Sequence, residues 1–210
     1  MSKIYVANHI SLDGVMQSPG RDGEDTRGGF TRGGWAAPRS NDEVAAVLQD
    51  RVARAGGMRL LLGHRSYDDM LGFWNTQDSP FKDGLNNAEK YVVSRSASTV
   101  LPWPNSTLVH GDIPHEIARL KEEGGADLCV MGSGELIRLL IENGFVDELL
   151  LFVHPLILGS GARIFPDGGV GAELKLLASS VTRTGVTIVR YQVNEAGVVS
   201  GTANRSFTKP

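Results

Sequence analysis

The fold of this chain is decided by one stretch, Gly134-Glu-Leu-Ile-Arg-Leu-Leu-Ile-Glu-Asn-Gly-Phe-Val-Asp-Glu-Leu-Leu-Leu-Phe-Val-His-Pro-Leu-Ile-Leu-Gly-Ser-Gly161. Its first part predicts a helix over residues 136–143, which Gly144 ends, because glycine commonly follows the last helical residue. Its second part predicts a strand over residues 146–153, since the run is apolar and bounded by Gly and Pro. A strand over residues 127–131 precedes the helix. A helix between two strands is the unit of an α/β sheet.

The same alternation of strand and helix extends back to the start of the chain. Apolar runs predict further strands over residues 4–10, 58–63, 90–94, 106–110 and 187–193. Helical spacing predicts three further helices, which begin at Ser40 or Asn41, at His64 with Ser66 as a candidate cap, and at Pro114. The segment between the last two strands is rich in Gly and Pro and is expected to be a loop. This order predicts an α/β fold with a mostly parallel sheet, flanking helices and an antiparallel edge.

Composition and charge exclude several classes of protein. The chain has 210 residues, of which 41% are hydrophobic and 21% charged, so we expect one domain over residues 1–210 with a real core. The net charge is −3, so no basic field indicates nucleic acid or an anionic membrane as a partner. No stretch approaches the ~18 apolar residues of a membrane span. The chain opens directly on a strand, which favours a cytoplasmic protein.

Glycine is unusually frequent, with 26 of the 210 residues. That is about an eighth of the chain, whereas ~7% is typical. Residues 11–40 are rich in glycine and lack periodicity, which is typical of a functional lid, and we expect a mobile loop there. Other glycines follow strands, at Gly63, Gly132 and Gly159. Glycine at a strand end lets the backbone approach a phosphate, although each position could also make only a tight turn. Gly63 and Gly132 both open helices, which favours a dinucleotide.

The well-known phosphate-binding patterns are incomplete in this sequence. Ile137 stands where the third glycine of G-x-G-x-x-G belongs, and the chain contains neither a G-x-x-x-x-G-K-[ST] loop nor a G-x-S-x-G elbow. After the strand over residues 90–94, Ser94 and Arg95 offer a hydroxyl and a guanidinium without a carboxylate, which suits a phosphate on the adenosine ribose. With His64 and Arg65 nearby this favours NADPH over NADH. The alternative is that these arginines are solvated surface residues.

The histidines and the cysteine do not indicate a metal site. None of the five histidines is paired at ligand spacing, and we expect His9 and His154, both at strand ends, to be packed or hydrogen-bonded. Cys129 lies in an apolar strand and is expected to be an inert core thiol. A single cysteine also excludes a disulfide framework.

Four pieces of the chain together resemble a known family: Asn8-His-Ile-Ser-Leu-Asp-Gly-Val-Met16, Leu60-Leu-Leu-Gly-His-Arg-Ser-Tyr67, Val93-Ser-Arg95 and the stretch from Val130 to Phe165. They resemble the dihydrofolate-reductase-like fold and, within it, the C-terminal reductase domain of the bifunctional riboflavin-biosynthesis enzyme RibD. The resemblance runs from Lys3 to about Val193. It has no counterpart of the zinc deaminase of that enzyme, so we expect a stand-alone reductase. Residues 194–210 are expected to be a strand end or a tail.

The resemblance implies a central sheet of about eight strands that binds NADPH in an extended pose, and a homodimer. The two glycine turns would hold the pyrophosphate, the Ser94–Arg95 turn the 2′-phosphate, and Ala7 and Asn8 would border the nicotinamide. The implied cofactor-binding residues are Ala7, Asn8, Gly63, His64, Arg65, Ser66, Ser94, Arg95, Gly132, Ser133, Gly134 and Glu135. The expected substrate-side residues are Ser11, Asp13, Trp35 and Met131. The 11–40 loop would close over the nicotinamide and exclude water.

The implied activity is that of an NADPH-dependent reductase that resembles 5-amino-6-(5-phosphoribosylamino)uracil reductase and transfers a hydride to a C=N or C=O carbon of a small heterocyclic or sugar-derived substrate. Asp13 is the candidate proton donor or substrate anchor, with an Asx turn as the alternative.

Two departures from the family keep other functions open. The first helix presents Val44, Val47 and Leu48 inward, where folate reductases carry an acid. Met131 stands where the riboflavin reductases have a glutamate. The alternatives are therefore dihydrofolate reductase activity, or a non-catalytic nucleotide-binding protein on the same fold.

Overall fold

A computed structural model describes residues 1–196 of the chain. The strands are β1 (Ile4–Ser11), β2 (Arg59–Gly63), β3 (Glu89–Val93), β4 (Ser106–Val109), β5 (Leu128–Val130), β6 (Glu148–His154), β7 (Ala172–Val181) and β8 (Thr187–Ala196). The helices are α1 (Asp42–Arg54), α2 (His64–Trp74), α3 (Pro80–Asn87), α4 (Ile113–Glu123) and α5 (Gly134–Glu142).

The strands form one sheet of eight, in the order β4-β3-β2-β5-β1-β6-β8-β7. The first six strands in this order, β4, β3, β2, β5, β1 and β6, pair in parallel. At the other edge, β8 pairs antiparallel with both β6 and β7. This confirms the predicted α/β fold with its mostly parallel sheet and antiparallel edge. We expect residues 194–210 to be a strand end or a tail. The part of this expectation beyond Ala196 lies outside the residues that the structure describes.

The central strand β1 is buried on both faces. Ile4 and Val6 face one apolar core, and Tyr5 and Ala7 face the other, because successive side chains of a strand point to opposite sides. Helices α4 and α5 contribute Ile117, Leu120, Ile137 and Leu140 to the first core. Helices α1, α2 and α3 contribute Val44, Leu71 and Leu85 to the second. Helices on both faces are the usual cover of a parallel sheet.

Four of the five α-helices within residues 1–196 begin with a side-chain cap. The Asn41 carboxamide oxygen accepts hydrogen bonds from the Glu43 and Val44 N–H groups at the start of α1, and such a cap is worth about 1 kcal/mol. Ser79, Asp112 and Ser133 cap α3, α4 and α5 in the same way. The prediction that Ser66 caps α2 is wrong. The cap position is Gly63, whose extended backbone lets the helix begin at His64, so Ser66 lies inside the first turn.

Two elements were not predicted from the sequence. Strand β7 lies in the segment expected to be a loop. The sequence does not reveal it because this edge strand is exposed along nearly its whole length and shows no apolar–polar alternation. Helix α3 is short and carries Gly84 in its interior, which hides the pattern even though Ser79 and Pro80 form a good helix start.

Within residues 1–196, no helix has the length and apolar character required to cross a membrane. In the same part of the chain, no three His, Cys, Asp or Glu side chains are grouped so that they could hold a metal ion. Cys129 is a free, buried thiol whose pKa burial raises to about 12, so it behaves as an apolar core side chain.

Candidate functional site

The turns that follow β2 and β5 lie against each other at the carboxyl edge of the sheet. The Gly63 N–H donates to the Gly132 carbonyl, with 3.3 Å between nitrogen and oxygen. A Cβ on Gly63 would lie 2.5 Å from Ser133 Oγ, and a Cβ on Gly132 would lie 2.8 Å from Ser66 Oγ. Gly132 also has a φ of +122°, which L side chains rarely adopt. Both positions therefore require glycine.

The N-terminus of α2 opens beside these turns without a cap. Gly63 has no side chain to accept a hydrogen bond, and the first turn of α2 contains no acidic residue. The first N–H groups of a helix have no partner within the helix, and they lie at the positive end of its dipole. Arg65 is exposed in the same turn. This helix end is therefore built to receive an anion.

The N-terminus of α5 differs from that of α2 because it carries a charge of its own. Ser133 Oγ accepts weakly from the Leu136 N–H at 3.5 Å, and Glu135 lies in the first turn. The Glu135 carboxylate pairs with the Arg95 guanidinium, with 2.5 Å between Oε2 and Nη2, although the Arg95 side chain is 91% exposed. The ion pair joins the turn after β3 to α5. Ser94 Oγ contacts Thr99 Oγ1 at 2.7 Å and so closes that turn.

A gap opens in the sheet beside the carboxyl end of β1. Strand β5 pairs with β1 only from Ile4 to Val6, whereas β6 pairs with β1 as far as Ser11. Ala7 and Asn8 are the first β1 residues beyond the pairing with β5, and both are buried. The Asn8 amide nitrogen finds no hydrogen-bond partner among the described residues. Met131, which follows β5 directly, is half-buried on the other side of the gap.

Asp13 joins the start of the 11–40 loop to a second loop. Its Oδ1 accepts from Ser11 Oγ at 2.7 Å and from the Leu158 N–H at 3.0 Å, and its Oδ2 accepts from the Gly159 N–H at 2.8 Å. The Ser11 hydroxyl and then the Leu158 N–H lower the pKa of Asp13 to about 2. Asp13 is therefore an ionised acceptor at neutral pH, a geometry that favours anchoring over proton donation. Ser11 itself is fully buried.

Trp35 fixes the other end of the loop in a small core of its own. The indole N–H donates to the Gln17 carbonyl at 2.8 Å, and the ring is buried among Val15, Phe30, Ala36 and Leu158. The loop also reaches the α5 turn, since a Cβ on Gly134 would lie 3.1 Å from the Met16 sulfur. The mobility of this loop stays a prediction.

A pair of histidines lies where β1 and β6 end, and the sequence did not indicate a functional role for it. His9 Nδ1 and His154 Nε2 are 2.8 Å apart, which confirms that both rings are hydrogen-bonded. Burial lowers the pKa of His9 to about 3 and that of His154 to about 4. Trp35 contacts the His154 ring edge-on, with 5.3 Å between ring centroids. The pair depends on two strands far apart in sequence, so only the strand register could have revealed it.

The predicted residues thus form two groups. The turns after β2 and β5 meet beside the open end of α2, the Arg95–Glu135 ion pair joins the turn after β3 to α5, and Ala7 and Asn8 border the neighbouring gap. Ser11, Asp13 and Trp35 instead belong to the loop, which meets the first group through Met16 and Gly134. The roles of all these residues stay predictions.

Residues 2–189 match the family model of the RibD C-terminal domain. The chain belongs to this family. This RibD C-terminal domain is 28% identical to the uncharacterised protein YyaP of Bacillus subtilis over 140 residues. The alignment covers 64% of this chain and 73% of YyaP. The family expected from the sequence is therefore confirmed.

Solved structures show the same fold for this RibD C-terminal domain. A Shewanella sp. PV-4 protein assigned to riboflavin biosynthesis superimposes with a TM-score of 0.70 at 22% identity, over 92% of this chain and 99% of that one. Dihydrofolate reductase from Enterococcus faecalis, complexed with NADP(H) and RAB-propyl, superimposes with a TM-score of 0.58 at 14% identity, over 91% of this chain and 96% of that one. The dihydrofolate-reductase-like fold is confirmed.

Proposed function

We propose that this RibD C-terminal domain is an NADPH-dependent reductase that acts on a C=N or C=O bond of a small heterocyclic or sugar-derived substrate, similar to 5-amino-6-(5-phosphoribosylamino)uracil. The observation that carries the proposal is the meeting of the glycine turns after β2 and β5 around the uncapped end of α2. A dinucleotide needs such a place, where backbone N–H groups can approach its pyrophosphate closely.

The residues at this edge fit NADPH. The free N–H groups of α2 and the cation of Arg65 suit the pyrophosphate, and Ser94 with Arg95 suits the 2′-phosphate. The unpartnered Asn8 amide beside the gap suits a carboxamide oxygen, because a buried donor without an acceptor costs about 1–3 kcal/mol. When bound, the cofactor would supply the hydride.

The chain's own groups orient the reactants and exclude water. Asp13 holds the 11–40 loop against residues 158–159 by its three hydrogen bonds, and Trp35 anchors the far end of the loop beside the histidine pair. A loop held at both ends would close over the gap next to Ala7 and Asn8 and keep the reacting atoms out of bulk water.

Folate is a poor fit for this site. Helix α1 buries Val44 toward the sheet, while Asp42 and Asp50 are exposed and Glu43 binds Arg183. No α1 carboxylate is thus directed at the gap, and the proton transfer expected of a folate reductase lacks its acid. We expect little turnover of dihydrofolate.

Binding and turnover test the proposal separately. NADPH should raise the melting temperature of the purified protein more than NADH does, and Arg95→Ala should reduce the NADPH effect without changing that of NADH. Arg119→Ala, another exposed arginine in an ion pair with a glutamate, is the matched control. No stabilisation by NADPH would refute the cofactor. Binding without loss of NADPH absorbance, across aminouracil, pterin and carbonyl compounds, would instead support a non-catalytic nucleotide-binding protein.

A further inference from the structure

The histidine pair lies on the same face of the sheet as the residue expected beside the nicotinamide. Side chains of β1 alternate, so His9 shares its face with Ala7, two residues earlier. Its ring stacks on Phe152 of β6, with 4.9 Å between centroids and 22° between planes. His9 is half-buried, whereas His154 is fully buried. The pair thus has a buried member and a member that reaches the surface at the carboxyl edge.

The surroundings of His154 decide where the protons of the neutral pair reside. One proton lies between His9 Nδ1 and His154 Nε2. If His9 supplied it, His154 would carry its own proton on Nδ1, which is buried and has no partner in the described part of the chain. A buried N–H without an acceptor is rarer in proteins than a buried lone pair without a donor. His154 Nε2 is therefore the donor, and the His9 proton is on Nε2.

Both rings are kept neutral by what surrounds them. Burial disfavours a charged His154, and the positive charge of Arg39 adds to that effect. For His9, burial acts together with the neighbouring ring of His154. Among the described residues no carboxylate forms an ion pair with either ring. Trp35 and Phe152 complete an apolar enclosure.

We propose that His9 donates a hydrogen bond from its neutral Nε2–H to the substrate heteroatom of the C=N or C=O bond, and that His154 holds it in this tautomer. This inference rests on the proposed reductase function. As the substrate carbon accepts the hydride, the electron pair of its double bond moves to the heteroatom, and a proton from water then completes the reduction. A preorganised N–H stabilises the charge that develops on that heteroatom. His9 keeps its own proton, so an uncharged acceptor is the group this site selects.

The tautomer can be tested without a substrate. Nitrogen chemical shifts of isotope-labelled histidine should show both rings neutral from about pH 5 to about pH 8, with His9 protonated at Nε2 and His154 also at Nε2. His9→Gln and His154→Gln assign the signals. Either ring titrating above about pH 6, or a proton on His154 Nδ1, would overturn the inference whatever the protein binds.

Turnover tests the role of the donor. The assay uses NADPH and the fastest-reduced of three substrates: an aminouracil ribosyl phosphate, dihydrofolate or an aldose phosphate. His9→Ala should lower kcat/KM by about 100-fold, as the loss of a preorganised donor does. His9→Gln retains a side-chain N–H and should lose less than about tenfold, while the exposed His115→Gln should match the wild type. All variants should still be stabilised by NADPH. Full activity of His9→Ala refutes the inference alone, whereas wild-type protein that reduces none of the compounds refutes the proposed function.

Discussion

The hydrogen-bonded histidine pair, His9 and His154, should make the stability of this protein fall in mild acid. The pKa of each ring is lowered in the folded state, to about 3 for His9 and about 4 for His154, because burial disfavours the charged form. An unfolded histidine has its ordinary pKa of about 6.5. The unfolded chain therefore binds more protons than the folded one below that value. Stability contributed by the pair is complete above about pH 6.5 and is lost progressively as the pH falls toward the folded pKa values.

The expected loss is large enough to measure. At about pH 5 an unfolded ring is almost fully protonated and a folded one almost fully neutral, so each ring would contribute a loss of about 2 kcal/mol. Since the two rings are hydrogen-bonded to each other and titrate as a pair, we expect about 2–4 kcal/mol in total. That is a considerable fraction of the stability of a typical domain.

Urea denaturation at about pH 7 and about pH 5 measures the effect, provided the slope against denaturant stays constant. The double variant His9→Gln/His154→Gln has no ring to protonate and should lose about 2–4 kcal/mol less than the wild type over this interval. His115→Gln removes an exposed histidine instead and should behave as the wild type. If the double variant and the wild type lose the same free energy between the two pH values, the reasoning is wrong.

Three further predictions concern other contacts. Lys90→Met should lower the free energy of unfolding by about 1–3 kcal/mol in urea titrations, because the buried ammonium donates to the Leu85 and Ala88 carbonyls, both at 2.6 Å. Asp13→Ala should cost about 1–3 kcal/mol and increase proteolysis of the 11–40 loop, since three donors lose their acceptor; unchanged cleavage would contradict its anchoring role. We propose that the open edge strand β7 pairs with a second copy of the chain, because Leu176 is 53% exposed there among further exposed apolar residues. Leu176→Lys should then convert a homodimer to a monomer in light scattering, and a monomeric wild type would refute the pairing.

The sequence predicts the order of elements well because most of the strands are short apolar runs bounded by glycine. It fails for β7, since that strand buries too little for burial to leave a pattern in Ala172–Val181. The glycine turns are likewise predictable, because Gly63 is the last residue of β2 and Gly132 lies two residues beyond the end of β5. Their mutual contact is not predictable, since it depends on β2 and β5 being neighbours in the sheet although α2, α3, β3, β4 and α4 all lie between them along the chain.

The functional character of the site is harder to predict than its location. Whether Ser66 caps α2 depends on where the helix begins, and a shift of three residues, from Ser66 to Gly63 as the cap position, converts a capped end into an open one. The pairing of His9 with His154 depends on a register between residues 145 positions apart. Two isolated histidines at strand ends predict packing or hydrogen bonding. Only the distance between the rings and the His154 Nδ1, which has no partner within residues 1–196, indicate more.

Gly132 links the fold to the proposed chemistry. Gly132, with a φ of +122°, lies two residues beyond Val130, the last residue of β5 and the partner of Val6, whereas β6 continues beside β1 to Ser11. The gap that results lies between Met131 and the Ala7–Asn8 segment. A residue with a side chain at position 132 would also meet Ser66 at 2.8 Å and push α2 away from the turn. The absence of a side chain at Gly132 therefore lets the uncapped end of α2 lie against the chain that leaves β5, beside the gap between β1 and β5.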